Sequence, residues 1–279
     1  MRTFFFTTFL KLYIYIQTLK INFMANKDFP TEVIELPSQG KVYPDGHPLS
    51  KGTVEIKYMT AREEDILASQ NLIRKGVVLD KLFESVVVEE GLNINDIFIG
   101  DKNAILLATR ILGYGKDYEV EVTDPYTLAP QRVTIDLSKV QTKDIDFSKL
   151  NKENRYEFKL PTSGKTVVLR LLTHKDEIDI NAEIQALQRL TTAKSEAASQ
   201  ELSTRMRYMI QEIDGNTDRG FINNYVKNNL LAMDSRAIRN YIKEISPDLD
   251  LKFQFTSELT GEQEALDIPF GAGFFYPSE

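Results

Sequence analysis

The hydrophobic period of this chain changes three times, and nothing else in the sequence restricts its fold as much. Apolar residues recur every three or four positions in residues 60–113, alternate with polar ones within 114–172, return to helical spacing in 173–246, and alternate again within 247–279. A 3.6-residue period lines one face of a helix and a 2-residue period one face of a strand, so each change marks a change of element. Strands and helices are grouped rather than interleaved, which argues against a doubly wound parallel sheet. The expected class is α+β: an N-terminal arm and helices, a small central antiparallel β region, a C-terminal helical bundle and a terminal β-hairpin.

Residues 24–59 read as a turn-rich arm and a first strand. Pro37, Gly40, Pro44, Asp45, Gly46 and Pro48 put fixed φ angles beside permissive ones, which makes successive turns. Residues 53–59 then alternate Val54, Ile56 and Tyr58 with Glu55 and Lys57, as a half-buried strand does. Thr60 and Glu63 stand at capping-box spacing and predict a helix start. The acids Glu63, Glu64 and Asp65 in its first turn, and Arg74 and Lys75 near its end, suit the helix dipole, with Gly76 as its stop. Leu79, Leu82, Phe83 and Val86 make a second helical face that packs back on the first. A third helix is expected over 101–112, with Ile105, Ala108 and Leu112 on one side and Gly113 as its stop.

Within 114–172, residues 118–122 and 133–137 predict one hairpin, and 155–160 and 166–172 a second that turns at PTSGK. The polar stretch 138–153 between them reads as a surface excursion. Within 173–246, Ile180, Ile184 and Leu187 form one helical stripe, and Leu202, Met206, Met209 and Ile213 form the next. Residues 221–231 add an apolar segment, and a last helix begun by Asp234 or Ser235 carries Ile238, Tyr241, Ile242 and Ile245. Residues 191–200 are small and polar, and both a continuous exposed helix and a hinge fit them. Pro247 closes the bundle, and 251–255 with 265–268 predict a hairpin around LTGEQ in the segment 247–279.

At 279 residues and 42% hydrophobic composition the chain has ample material for a folded core, as one large domain or two modest ones. Its net charge of −7 gives no broad attraction to nucleic acid or to an anionic membrane, so the expected partners are proteins, a second copy included. No small-molecule substrate, metal or cofactor is expected. The absence of cysteine excludes disulfides, thiol catalysis and thiolate zinc sites, and fits a reducing cytoplasm. Only His47 and His174 are available for imidazole chemistry. Residues 4–23 are apolar and aromatic, but Lys11 and Lys20 leave no uninterrupted run long enough to span a membrane. Met24 begins MANKDFPTEVIELP, which reads like a natural start, so residues 1–23 are expected to be an upstream extension, with a signal or membrane anchor as the alternative.

Several stretches imitate catalytic motifs. SGKT at 163–166 matches the end of a phosphate-binding loop, yet Lys159 occupies the first-glycine position and VVLRLL follows where a helix should begin. A lysine-tipped β-turn is expected instead of a nucleotide site using Gly164, Lys165 and Thr166. DGNTDRG at 214–220 offers oxygens at calcium-loop positions but has Arg219 at the sixth and Tyr225 at the twelfth, so a loop that caps the next helix is expected. GYG at 113–115 lacks the third glycine of a dinucleotide fingerprint and reads as a helix stop. Glu89 and Glu90 read as a solvated helix end, His47 as a turn residue, and Arg205 and Arg207 lack the aromatic interleaving of a nucleic-acid groove.

LPSQGKVYP followed by MTAREEDIL resembles the N-terminal part of the baseplate hub subunits of T4-like bacteriophages. The resemblance covers mainly residues 31–90 and, less specifically, 265–278, where DIPFGAGFFYPSE is similar to that family's acidic-apolar strand and aromatic tail. It implies a part in building a contractile tail rather than a reaction: a structural subunit or chaperone-like factor that contacts other hub or tail proteins in the host cytoplasm and in the virion. In that family the C-terminal hairpin can resemble a zinc ribbon, a site this cysteine-free chain cannot form. The tail residues Phe270, Phe274, Phe275 and Tyr276 are the expected partner-binding set, because an exposed aromatic cluster marks an interface. Closure of the chain's own core is the alternative.

Overall fold

The computed structural model describes residues 29–190, 194–270 and 272–275. Strands β1 (Thr31–Glu35) and β2 (Thr53–Lys57) pair antiparallel, Thr31 opposite Lys57 and Glu35 opposite Thr53. The sequence pattern does not announce β1: in TEVIE the two aliphatic side chains are adjacent, and pairing with β2 supplies what the period lacks. The turns between these strands fold back as core, with Leu36, Val42, Tyr43 and Leu49 buried. Gly40, at φ +75°, lies so close to the Ser50 carbonyl that an added Cβ would sit 2.3 Å from its oxygen, so conformation and space both select glycine.

The helix expected over 60–75 is two helices, α1 (Ala61–Ala68) and α2 (Gln70–Lys75), separated by Ser69 in extended conformation. Serine readily leaves helical geometry, and here it becomes the N-cap residue of α2. Gly76 ends α2 at φ +69°, and α3 (Val78–Val86) buries Val78, Leu82, Phe83 and Val86. Helix α4 (Ile99–Tyr114) runs through Gly113, the expected stop, and is capped by Gly115 at φ +84°.

Strands β3 (Asp117–Thr123) and β4 (Pro130–Asp136) form a long hairpin. The excursion that follows is less detached than its polarity suggests. It carries β5 (Gln141–Thr142), which pairs with β9 (Leu249–Asp250), and it buries Val140. A three-stranded sheet takes the order β6 (Tyr156–Lys159), β7 (Thr166–Leu169), β8 (Ile210–Ile213). Strand β8 corrects the helical reading of Ile213: helices α5 (His174–Leu190) and α6 (Lys194–Met209) stop before it, and the open edge of β7 captures IQEI. Residues 194–200 are thus helical, whereas 191–193 and the 1–23 extension lie outside the described residues.

Helices α7 (Arg219–Asn228) and α8 (Ala232–Ile245) precede a terminal hairpin of β10 (Lys252–Thr256) and β11 (Gln263–Asp267). A short ladder joins the two halves of the chain, since Ile99 N–H donates to Leu172 O and His174 N–H to Ile97 O, at 3.2 and 2.8 Å. Buried apolar side chains from Ile34 to Phe275 form one contiguous cluster, so the segments distinguished by period share a core. The molecule is α+β, with helices and small antiparallel sheets. Among the described residues no helix is long and apolar enough to cross a membrane.

Candidate functional site

The polar groups that organise this molecule are buried charges that hold distant segments together. Asp101, in the first turn of α4, is inaccessible to solvent and accepts three hydrogen bonds from the arm. Ser38 N–H reaches Oδ1 at 3.0 Å, while the Ser38 hydroxyl and the Tyr43 phenol both reach Oδ2 at 2.7 Å. Tyr43 then accepts from Phe98 N–H at 3.2 Å and stacks on His47, whose Nδ1 accepts from Leu49 N–H at 3.2 Å. Burial pushes the Asp101 carboxyl up to about 6, even though its three donors pull the other way. Burial and the adjacent carboxylate together raise the Tyr43 phenol well above its ordinary value, so it stays a donor.

Glu63 plays the corresponding part for the β2–α1 junction. Its carboxylate accepts from Lys57 Nζ at 2.7 Å, from the Ser85 hydroxyl at 2.6 Å, and from the Thr60 amide and hydroxyl at 2.8 and 2.7 Å. Burial pushes this acid upward, yet the donors prevail and hold it at about 2. The expected capping-box acid is therefore a tie between β2, α1 and α3. Glu89, read from sequence as solvated, accepts from Glu55 N–H at 2.9 Å and Lys51 Nζ at 2.7 Å, closing the edge of β2.

Asp80, His174 and Glu177 bring potential ligand atoms within 4.8 Å of one another. Lys102 Nζ lies 2.8 Å from Asp80 Oδ1 and 2.6 Å from Glu177 Oε2, so the chain's own ammonium neutralises these carboxylates. The His174 ring is buried edge-on to Phe83, 4.8 Å between centroids. Desolvation and the Lys102 charge pull its pKa below the ordinary value, against Asp80, Glu177 and Glu84. This is a lysine-centred ion cluster joining α3, α4 and α5.

The aromatic tail meets the same helix at its other end. Phe274 and Phe275 are each 1% exposed, and Phe270 is partly buried against the core. Phe274 packs on Tyr118 at 5.0 Å and on Phe270 at 4.8 Å. Arg110, buried near the end of α4, donates to Phe274 O at 3.0 Å, Gly115 O at 3.0 Å and Asp117 O at 3.4 Å, with Tyr114 and Tyr118 flanking its guanidinium. The structure thus joins Phe270, Phe274 and Phe275 to α4 and β3, while Tyr276 lies outside the described residues.

The remaining motifs resolve into turns and caps. SGKT follows β6 and runs directly into β7 rather than into a helix of its own, with Lys165 Nζ 2.5 Å from Asp214. In DGNTDRG, Asp218 caps α7 by accepting from Phe221 N–H at 2.7 Å. Asp234 does not start its own helix, whose first residue is Ala232; it accepts from Thr162 and Ser163 N–H at 2.8 and 3.0 Å, pinning the SGKT turn to α8. Sequence reasoning passed over Asp101 and Arg110. A signal was available: each lies four residues from a buried aliphatic side chain, Ile105 and Leu106 respectively, so a charge stands on the apolar face.

A family model described as T4 bacteriophage base plate protein matches residues 29–268. No curated protein and no solved structure matches the chain. The matched span contains the Asp101 and Glu63 anchors and the lysine cluster, and it ends just before Phe270.

Proposed function

Because the chain belongs to the T4 bacteriophage base plate protein family, we propose that it is a non-enzymatic baseplate hub component, a structural subunit or assembly factor that works through contacts with other tail proteins. The match over residues 29–268 carries this reading. It is supported by the likeness of LPSQGKVYP and MTAREEDIL to hub subunits, and by the use made of the buried charges. Asp101, Glu63, Lys102 and Arg110 each hold parts of the chain together, leaving function to the surface the fold presents.

The test is loss of this chain during infection, followed by mass spectrometry of purified tails. Loss is expected to block hub formation. Wild-type tails that contain the chain identify a structural subunit, and wild-type tails without it identify an assembly factor. Complete, infectious tails made in its absence would defeat the proposal.

A further inference from the structure

The β3–β4 and β10–β11 hairpins end side by side. The Ser257 hydroxyl donates to Asp124 Oδ2 at 2.6 Å, the Tyr126 phenol to Gln263 O at 3.1 Å, Gln131 Nε2 to Thr256 O at 3.0 Å, and Glu258 N–H to Gln131 Oε1 at 3.0 Å. Asp124 also holds its own turn, accepting from Tyr126 N–H at 2.8 Å and Thr127 N–H at 3.3 Å. The two tips are therefore one braced projection.

What this projection displays is apolar. Leu128 is 77% exposed and Leu259 75%, and Tyr126, two residues before Leu128, is exposed as well. Leu128 sits at φ +60°, a conformation L side chains rarely adopt and glycine adopts freely. The fold thus holds a strained leucine whose side chain buries little against its own chain, and strain of this kind gathers at recognition sites. The exposed rim has one sign of charge: segments 123–131 and 256–264 present Glu258, Glu262 and Glu264 to solvent and contain neither lysine nor arginine.

We propose that the paired tips form a docking prong in which Leu128 and Leu259 enter an apolar pocket, rimmed by Lys and Arg, on a different baseplate protein. Charge complementarity selects such a partner, since opposite signs steer the encounter and like signs oppose it. A second copy of this acidic chain would bring the same rim. The proposal rests on the baseplate reading for the partner's origin, and on the prong's own geometry for its chemistry.

The experiment places a photo-crosslinking amino acid at position 128 or 259 of the full chain, with position 33 as an exposed control, and irradiates infected cells. Crosslinks from 128 and 259 are expected to converge on one other baseplate protein, at an apolar segment flanked by basic residues. The double variant Leu128→Gly, Leu259→Ser is expected to melt no lower than the wild type, because both side chains are exposed and glycine relieves the strain at position 128, and to lower tail incorporation about tenfold. Crosslinks to another copy of this chain, or wild-type phage yield from the double variant, overturn the prong. Complete tails in the absence of the whole chain would instead defeat the baseplate reading.

Discussion

Asp101 and Glu63 are both buried carboxylates with several donors, yet their environments push them in opposite directions. Asp101 has neutral donors only and rises from 3.8 to about 6; Glu63 has the Lys57 ammonium and falls from 4.5 to about 2. The sign of each pH dependence follows from which state binds more protons. Stability contributed by Asp101 is fully present below 3.8 and is lost as pH rises through about 6. Between pH 5 and 7.5 that loss is on the order of 1 kcal/mol. Urea unfolding of the wild type and Asp101→Asn at the two pH values measures it: the variant should gain on the wild type as pH rises. Glu63 contributes stability above 4.5 that is lost as pH falls through about 2, so Glu63→Gln should flatten the acid limb of a stability profile taken across that window. If both variants keep the wild-type pH slope, neither carboxylate titrates as its surroundings dictate.

Helix α4 carries Asp101, and two of its glycines differ in a way no propensity scale separates. A Cβ on Gly100 would lie 1.8 Å from Pro247 O and 2.9 Å from Asp248 Cα, both backbone atoms. A Cβ on Gly113 would meet Met59 Cε at 2.1 Å, the free end of a flexible side chain. Gly100→Ala should therefore cost about 3 kcal/mol by forcing α4 away from residues 247–248. Gly113→Ala should stay within about 1 kcal/mol of wild type, because better helix propensity offsets the methionine's shift. Thermal unfolding of the two variants checks this, and equal losses would refute the packing account. At this scale much was legible in sequence: the Thr60–Glu63 start, the Gly76 stop, the PTSGK turn and the LTGEQ hairpin all depend on neighbours a few residues away. The break at Ser69, strand β1 and strand β8 were not. Ser69 is compatible with continuing a helix, TEVIE has no clean period, and Ile210 and Ile213 fit a helical stripe until a sheet edge claims them.

Across the whole molecule, the arm and the tail, which sequence alone leaves open between partner contact and closure of the core, are both tied to α4. Ending the chain after Pro269 removes two buried phenylalanines and leaves Arg110 without the Phe274 carbonyl, a loss of about 4–6 kcal/mol by area bookkeeping. Denaturant unfolding of the truncated chain measures it. Wild-type stability after truncation, combined with lost tail assembly, would support Phe270, Phe274, Phe275 and Tyr276 as a partner-binding element. What the sequence determined by itself was the class of most elements, β1 and β8 excepted, because period, caps and turns act through contacts within about one helical turn or one hairpin. It also excluded thiol-based chemistry, by holding no cysteine. Only the tertiary structure decided which charges would be buried and which apolar side chains would face outward. Ser38 meets Asp101 across 63 residues and Arg110 meets Phe274 across 164, and nothing local distinguishes such a pair from two unrelated polar groups. Leu128 and Leu259 fall in hairpin connections by sequence, and only the tertiary structure braces those two ends together.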